Sequence, residues 1–200
     1  MENNILIVDD SKTICSTLSK MVLEDLGFHP VVAHSKEETK KMLVEYKGKF
    51  LVALLDLGLP DAPDGEVVDL VTPFHIPSIV LTGSTIDEER FRDKNIVDYV
   101  VKDGGFAFEY IISLVKKVAL SVGMKVLVVD DAKSVAFHTM DLLKRYNLKC
   151  LYAKDGIEAL NILKDNKDIR LIFTDYNMPN MDGLELTKAL RHNYAKDKLS

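Results

Sequence analysis

Short hydrophobic runs alternate along the chain with longer segments in which hydrophobic positions recur every three or four residues. The runs predict five strands, at residues 5–8, 30–33, 50–55, 78–81 and 99–101. Helices are predicted between and after them, the fourth at residues 85–91 and the fifth at residues 106–120. Fully hydrophobic strands that alternate with helices are typical of a parallel sheet covered on both faces. The first part of the chain is therefore predicted to be an α/β domain.

The same pattern returns about 120 residues later. The run ILIVDD at residues 5–10 matches VLVVDD at 126–131, and LLDLGLP at 54–60 matches IFTDYNMP at 172–179. The second copy supplies three strand and helix pairs, but the elements that match residues 78–120 have no counterpart before Ser200. We expect a complete domain at residues 1–121 and a partial copy at 124–200, completed by further chain or by a partner.

Composition narrows the function classes. The chain has 47% hydrophobic residues and a formal net charge of −5, which argues against direct nucleic-acid binding. Its two cysteines, Cys15 and Cys150, have no zinc or disulfide spacing. No hydrophobic stretch approaches the roughly 18 residues that span a bilayer. We expect a cytoplasmic protein without a membrane partner.

Polar residues cluster where the predicted strands end. Asp9 and Asp10 follow the first strand and Asp56 the third, while Thr82 and Lys102 follow the fourth and fifth. The carboxyl ends of parallel strands meet at one edge of a sheet, where ligands bind. Neighbouring carboxylates repel, and a hard dication relieves that repulsion. The predicted cofactor is therefore Mg²⁺, with Mn²⁺ as the alternative.

Asp56 is the best candidate for a nucleophile toward a phosphoryl group, because it ends the most hydrophobic strand beside the other two acids. Lys102 would pair with phosphoryl oxygens as a point charge, and the Thr82 hydroxyl could donate to one of them. The catalytic set predicted from the first copy is thus Asp56, Lys102 and Thr82.

This combination resembles the response-regulator receiver domain of two-component signalling, over the whole first copy. The resemblance implies a flavodoxin-like, doubly wound, five-stranded parallel sheet of strand order 2-1-3-4-5. It also implies that Asp10, Asp56 and the Gly58 carbonyl hold Mg²⁺, that Asp9 helps through water, and that Asp56 accepts a phosphoryl group from a phosphohistidine.

By the same resemblance, Thr82 and Tyr99 form a switch pair that changes a partner surface after phosphorylation. The implied partners are a histidine kinase or histidine phosphotransfer protein, and a C-terminal output domain or a partner protein. Tandem receivers at an N-terminus resemble those of diguanylate cyclases with a GGDEF output domain. Any enzymatic output would lie beyond Ser200, and a homodimer is an open alternative.

Two departures from the receiver pattern stand out. Asp103 follows Lys102 where most receivers have proline, so we expect Lys102 to be aimed less rigidly. The loop at residues 60–65 is one residue longer than its counterpart at 179–183. In the second copy Asp130, Asp131 and Asp175 match the acidic triad, with Asp175 as candidate phosphoacceptor, and Asn177 matches the carbonyl ligand.

Other functions remain open at this stage. A hydrolase of the haloacid dehalogenase type also uses an aspartate nucleophile and Mg²⁺, but it needs an acid two residues later, where Gly58 and Asn177 stand. A nucleotide-binding fold is a second alternative, but no glycine-rich phosphate-binding motif follows the first strand of either copy. A receiver that is not phosphorylated and acts as a scaffold for protein interaction is the third alternative, above all for the second copy.

Overall fold

The computed structural model describes residues 3–83, 88–92, 94–103, 106–193 and 199. The chain divides into two compact units, Met1–Leu120 and Ser121–Ser200. None of the helices in these ranges combines the length and the hydrophobicity that crossing a bilayer requires. Each unit contains one parallel sheet with helices packed against it.

The first unit contains five parallel strands in the order β2-β1-β3-β4-β5, which confirms the predicted doubly wound, flavodoxin-like sheet. The strands are β1 (Asn4–Val8), β2 (His29–Ala33), β3 (Phe50–Asp56), β4 (Ser78–Thr82) and β5 (Ile96–Val101). β1 and β4 are buried along their whole length, as is β3 from its third residue onward. Helices on both faces therefore leave only the strand ends for polar side chains.

In the described part of this unit, four α-helices and two 3₁₀ turns accompany the sheet. They are α1 (Lys12–Glu24), α2 (Lys36–Glu45), α3 (Glu66–Val71), α4 (Ala107–Ser121) and the turns Thr72–Phe74 and Glu88–Phe91. Ser11 and Ser35 begin α1 and α2, because each side chain accepts a hydrogen bond from a backbone N–H three residues later. These caps fix where the chain turns away from the strand ends.

The prediction of a fourth helix at residues 85–91 is wrong for the residues that the structure describes. Residues 84–87 lie outside the described ranges, and the rest forms the 3₁₀ turn Glu88–Phe91. Phe91 is 4% exposed and belongs to the hydrophobic core of the unit. Burying this ring in a short turn overrides the helical tendency of the preceding sequence.

Gly65 lies where the loop after β3 enters α3. Its φ is +75°, and a Cβ there would lie 2.8 Å from Leu57 Cδ2 and 3.0 Å from Phe91 Cζ. We expect Gly65→Ala to lower the free energy of unfolding by about 2 kcal/mol, from left-handed strain and overpacking together. Chemical denaturation measures this loss.

Gly27→Ala is the matched control for Gly65→Ala. Its φ of +67° is similar, but nothing lies within 4 Å of the added Cβ. The free energy of unfolding of Gly27→Ala should fall by about 1 kcal/mol, from backbone strain alone. If the two variants lose the same stability, the close packing of Gly65 against Phe91 has no energetic role.

The second unit contains a three-stranded sheet in the order β7-β6-β8, as predicted for a partial copy. Its elements are β6 (Lys125–Val129), α5 (Lys133–Lys144), β7 (Lys149–Ala153), α6 (Gly156–Asp165), β8 (Ile169–Thr174) and α7 (Gly183–Asn193). Within the described part of this unit, β8 is paired only with β6 and forms an edge. Phe173 on this edge strand is 41% exposed.

Candidate functional site

Three carboxylates meet at the carboxyl ends of β1 and β3. Asp9 and Asp10 follow β1, and Asp56 ends β3, so the pairing of these two strands brings them together. One oxygen from each carboxylate lies within 4.8 Å of the others. Asp9 and Asp56 are buried, whereas Asp10 is exposed. The acids predicted from the sequence thus form one cluster that is open to solvent through Asp10.

Lys102 lies directly after β5 and reaches into this cluster. Its Nζ is 3.1 Å from Asp9 Oδ2 and 2.9 Å from Asp56 Oδ1, and its side chain is only 17% exposed. The backbone N–H of Lys102 donates to the Thr82 carbonyl at 2.7 Å, which ties the end of β5 to β4. Lys102 therefore bridges two acids without the proline that usually follows it in receivers.

The pKa values of the buried pair reflect both burial and charge. Burial raises the pKa of Asp9, although the Ser11 N–H and Lys102 act in the opposite direction. Burial alone would lower the pKa of Lys102, but its hydrogen bonds to Asp56 and Asp9 outweigh burial and raise it. Lys102 is therefore charged at neutral pH and compensates part of the acidic cluster.

The main chain of Asp9 is held by two side chains that the sequence did not point to. His34 Nδ1 lies 2.9 Å from the Asp9 carbonyl and must carry a proton to donate to it. The Cys15 thiol donates to the same oxygen at 3.2 Å, and burial raises the pKa of this thiol to about 11. Because His34 is 25 residues from Asp9 in the chain, no local pattern could have predicted this contact.

A cleft of about 560 Å³ opens beside Asp56. The buried Thr82 lies at its wall, and Gly58 is close enough that an added Cβ would lie 3.9 Å from Asp56 Oδ1. The lining residues are Asp56, Leu57, Gly58, Pro63, Asp64, Thr82, Gly83, Arg90, Phe91 and Lys102. Thr82, Gly58 and Lys102 were predicted from the sequence, whereas Arg90 was not.

The donor set fits a small hard dication. With all groups ionised, three carboxylates and one ammonium leave the cluster with a net charge of −2. Carboxylate oxygens, one of them exposed, are ligands that Mg²⁺ and Mn²⁺ accept while keeping several waters. Asp9, Asp10 and Asp56 could therefore hold such an ion.

The long loop after β3 is fixed at the start of α2. The Asp61 carboxylate accepts hydrogen bonds from the backbone N–H groups of Lys36 at 2.8 Å and Glu37 at 3.1 Å, which lowers its pKa. In the second unit, Asn180 Nδ2 instead donates to Asp155 Oδ2 at 2.9 Å. The loops of the two units therefore contact the start of the preceding helix through different side chains.

Tyr99 lies on β5 opposite Val80, two residues before Val101, which faces Thr82. Side chains two residues apart on a strand share a face, so Tyr99 and Thr82 lie on the same side of the sheet. Tyr99 is half-buried against the hydrophobic core and is not among the residues that line the cleft. Its role as a switch stays a prediction.

The acids of the second unit are not brought together in the same way. Among the residues that the structure describes, only Asp9, Asp10 and Asp56 form a three-carboxylate group. Asp131, Asp175 and Asn177 are exposed, and Asp130 accepts a hydrogen bond from the Ala132 N–H at 2.8 Å. β8 is an edge strand here, so Asp175 lacks the neighbouring strand that buries Asp56 in the first unit.

Comparisons with known proteins agree with this architecture. A family model described as the response regulator receiver domain matches residues 126–198. A solved two-component system response regulator/GGDEF domain protein superposes with a TM-score of 0.90 at 34% identity, covering 99% of this chain and 80% of that one. A chemotaxis protein CheY homolog of Campylobacter jejuni is 42% identical over 69 residues, which are 34% of this chain and 53% of that protein.

A longer relative covers both units. The autoinducer 2 sensor kinase/phosphatase LuxQ of Vibrio parahaemolyticus is 29% identical over 192 residues, which are 96% of this chain. The chain spans about one fifth of that protein's length, as the match covers 20% of it. Because both units align with such proteins and the first has the five-stranded sheet, the chain belongs to the response regulator receiver domain family of two-component systems, with two receivers in tandem.

Proposed function

We propose that the first receiver accepts a phosphoryl group on Asp56 in a reaction that depends on Mg²⁺. The observation that carries this proposal is the bridge from Lys102 Nζ to Asp56 at 2.9 Å and to Asp9 at 3.1 Å, beside the exposed Asp10. The donor we propose is a phosphohistidine on a histidine kinase or a histidine phosphotransfer protein.

In this reaction an Asp56 oxygen forms a bond to phosphorus while the bond from phosphorus to the donor nitrogen breaks, and the electron pair leaves with the donor. Lys102 neutralises charge on the phosphoryl oxygens, and the Thr82 hydroxyl donates to one of them. Asp9, Asp10, Asp56 and the Gly58 carbonyl would hold Mg²⁺, whose charge supports the same transition state.

We propose further that Thr82 and Tyr99 carry the signal away from the cleft. They lie on neighbouring strands and on one face of the sheet, so a shift of the Thr82 side chain would reach the Tyr99 ring. The output would be a changed surface for a partner or for an output domain, such as a GGDEF domain with diguanylate cyclase activity.

The cytoplasmic location of the protein stays a prediction.

For the second receiver we favour a scaffold role in protein interaction. Asp175 is exposed, and Asp130 and Asp131 do not form a three-carboxylate group with it in the described residues.

Incubation of the whole chain with a small acyl phosphate and Mg²⁺, followed by acid quenching and intact mass analysis, tests the proposal. We expect one phosphoryl group per chain, none for Asp56→Ala, and none when a chelator removes the dication. Asp175→Ala is the matched control in the other receiver and should be modified like wild type.

An unmodified wild-type chain under these conditions would contradict phosphoryl acceptance. A second phosphoryl group that Asp175→Ala removes would contradict the scaffold role of the second receiver. Continuous release of phosphate from an added phosphate ester would favour the hydrolase alternative instead.

A further inference from the structure

Arg90 lines the cleft together with Asp56, Thr82 and Lys102. It belongs to the 3₁₀ turn Glu88–Phe91, and its guanidinium lies over the Phe91 ring, 5.3 Å from the ring centroid. Because Phe91 is anchored in the core, this cation–π contact holds an exposed arginine at the edge of the cleft. Arg90 is not one of the residues on which the resemblance to receiver domains rests.

The charge of the site changes when a phosphoryl group arrives. Asp9, Asp10, Asp56 and Lys102 carry a net charge of −2, which one bound dication cancels. Transfer replaces the single negative charge of Asp56 by about two on the phosphoryl group. Asp64 also lines the cleft and adds negative charge. The phosphorylated site therefore has an uncompensated negative charge beside an arginine.

We propose that Arg90 binds the phosphoryl group on Asp56 and stabilises the phosphorylated state. The inference rests on the proposed function, since it assigns a further ligand to the same group. Lys102 divides its single positive charge between the phosphoryl group and two carboxylates, whereas the planar guanidinium of Arg90 can offer two parallel N–H donors to phosphoryl oxygens. Arg90 would then act only after phosphoryl transfer, and Mg²⁺ binding alone would not need it.

Beryllium fluoride, a mimic of the phosphoryl group, provides the test. Calorimetric titration at saturating Mg²⁺ should show an affinity about tenfold weaker for Arg90→Met than for wild type, as expected for a charge-assisted contact near solvent. Arg90→Lys keeps the positive charge but not the planar pair of N–H donors, so its affinity for the mimic should lie between those of wild type and Arg90→Met. The Mg²⁺ affinity without the mimic should be the same in all three proteins.

Arg92→Met is the matched control, because Arg92 is two residues away and pairs with Glu89 at 2.8 Å on the surface. It should bind the mimic like wild type. Equal affinities of wild type and Arg90→Met would overturn the inference alone. Failure of wild type to bind the mimic would overturn the proposed function and this inference with it.

Discussion

Replacing Lys102 by methionine is expected to lower the free energy of unfolding by about 3 kcal/mol at neutral pH in the absence of divalent cations. Lys102 is the cation that bridges Asp9, which is 0% exposed, and the buried Asp56. Methionine has a similar length but no charge, so both carboxylates would lose their partner inside the protein. Urea denaturation in the presence of a chelator measures the loss.

Two conditions should change this difference in stability. Saturating Mg²⁺ should restore part of it, since the cation neutralises the carboxylates that Lys102 leaves. Because the folded-state pKa of Lys102 is raised, its contribution is fully present below its ordinary pKa of 10.5 and is lost as the pH rises through the folded-state value. Wild type and variant should therefore converge in strongly alkaline solution.

Lys94→Met is the control for this substitution. Lys94 Nζ lies 2.8 Å from Asp69 Oδ1, but the two side chains are 31% and 52% exposed. Such a pair contributes less than about 1 kcal/mol, so the variant should unfold almost like wild type. Equal losses for the two lysines would mean that the buried bridge at Asp56 contributes no more than a surface pair.

Asp10→Asn is expected to weaken Mg²⁺ binding at least about a hundredfold, because loss of even an outer hydrogen-bond partner of a metal ligand costs about 10–100-fold. Asp10 is the exposed member of the cluster, so the change should leave the stability of the metal-free protein nearly unaltered. Calorimetric titration with Mg²⁺ gives the affinity, and denaturation shows that the fold is intact.

Asp131→Asn is the matched control for Asp10→Asn, because Asp131 is the same residue in the second copy of the repeat. Asp131 belongs to no three-carboxylate group in the described part of the chain. Its replacement should leave Mg²⁺ binding by the first receiver unchanged. A matching loss of affinity would place the ion in the second receiver instead.

The sequence predicted the sheet and the acidic cluster because both follow from strands that are buried on both faces. Such strands are continuous hydrophobic runs, and polar residues can stand only where they end. Parallel pairing then brings Asp9, Asp10 and Asp56 to one edge. The cluster and the approach of Lys102 were accessible for this reason, whereas the strand order was implied by the resemblance to receiver domains.

Features that depend on contacts between distant residues were not accessible. The turn at Glu88–Phe91 is set by the packing of Phe91 near Gly65, which overrides a helical pattern. No local sequence pattern indicated the hydrogen bond from His34 to the Asp9 carbonyl. None indicated the position of Arg90 in the cleft either. The repeat also suggested a second acidic cluster, but Asp175 is exposed, because β8 is an edge strand within the residues that the structure describes.

We propose that the carboxylates of the first receiver form a dication site beside the phosphoacceptor. Calorimetric titration of the whole chain with Mg²⁺ near neutral pH tests for this site. We expect uptake of one ion per chain, lost in Asp10→Asn and kept in Asp131→Asn. No uptake by wild type, or uptake that Asp10→Asn leaves unchanged, would contradict the proposal.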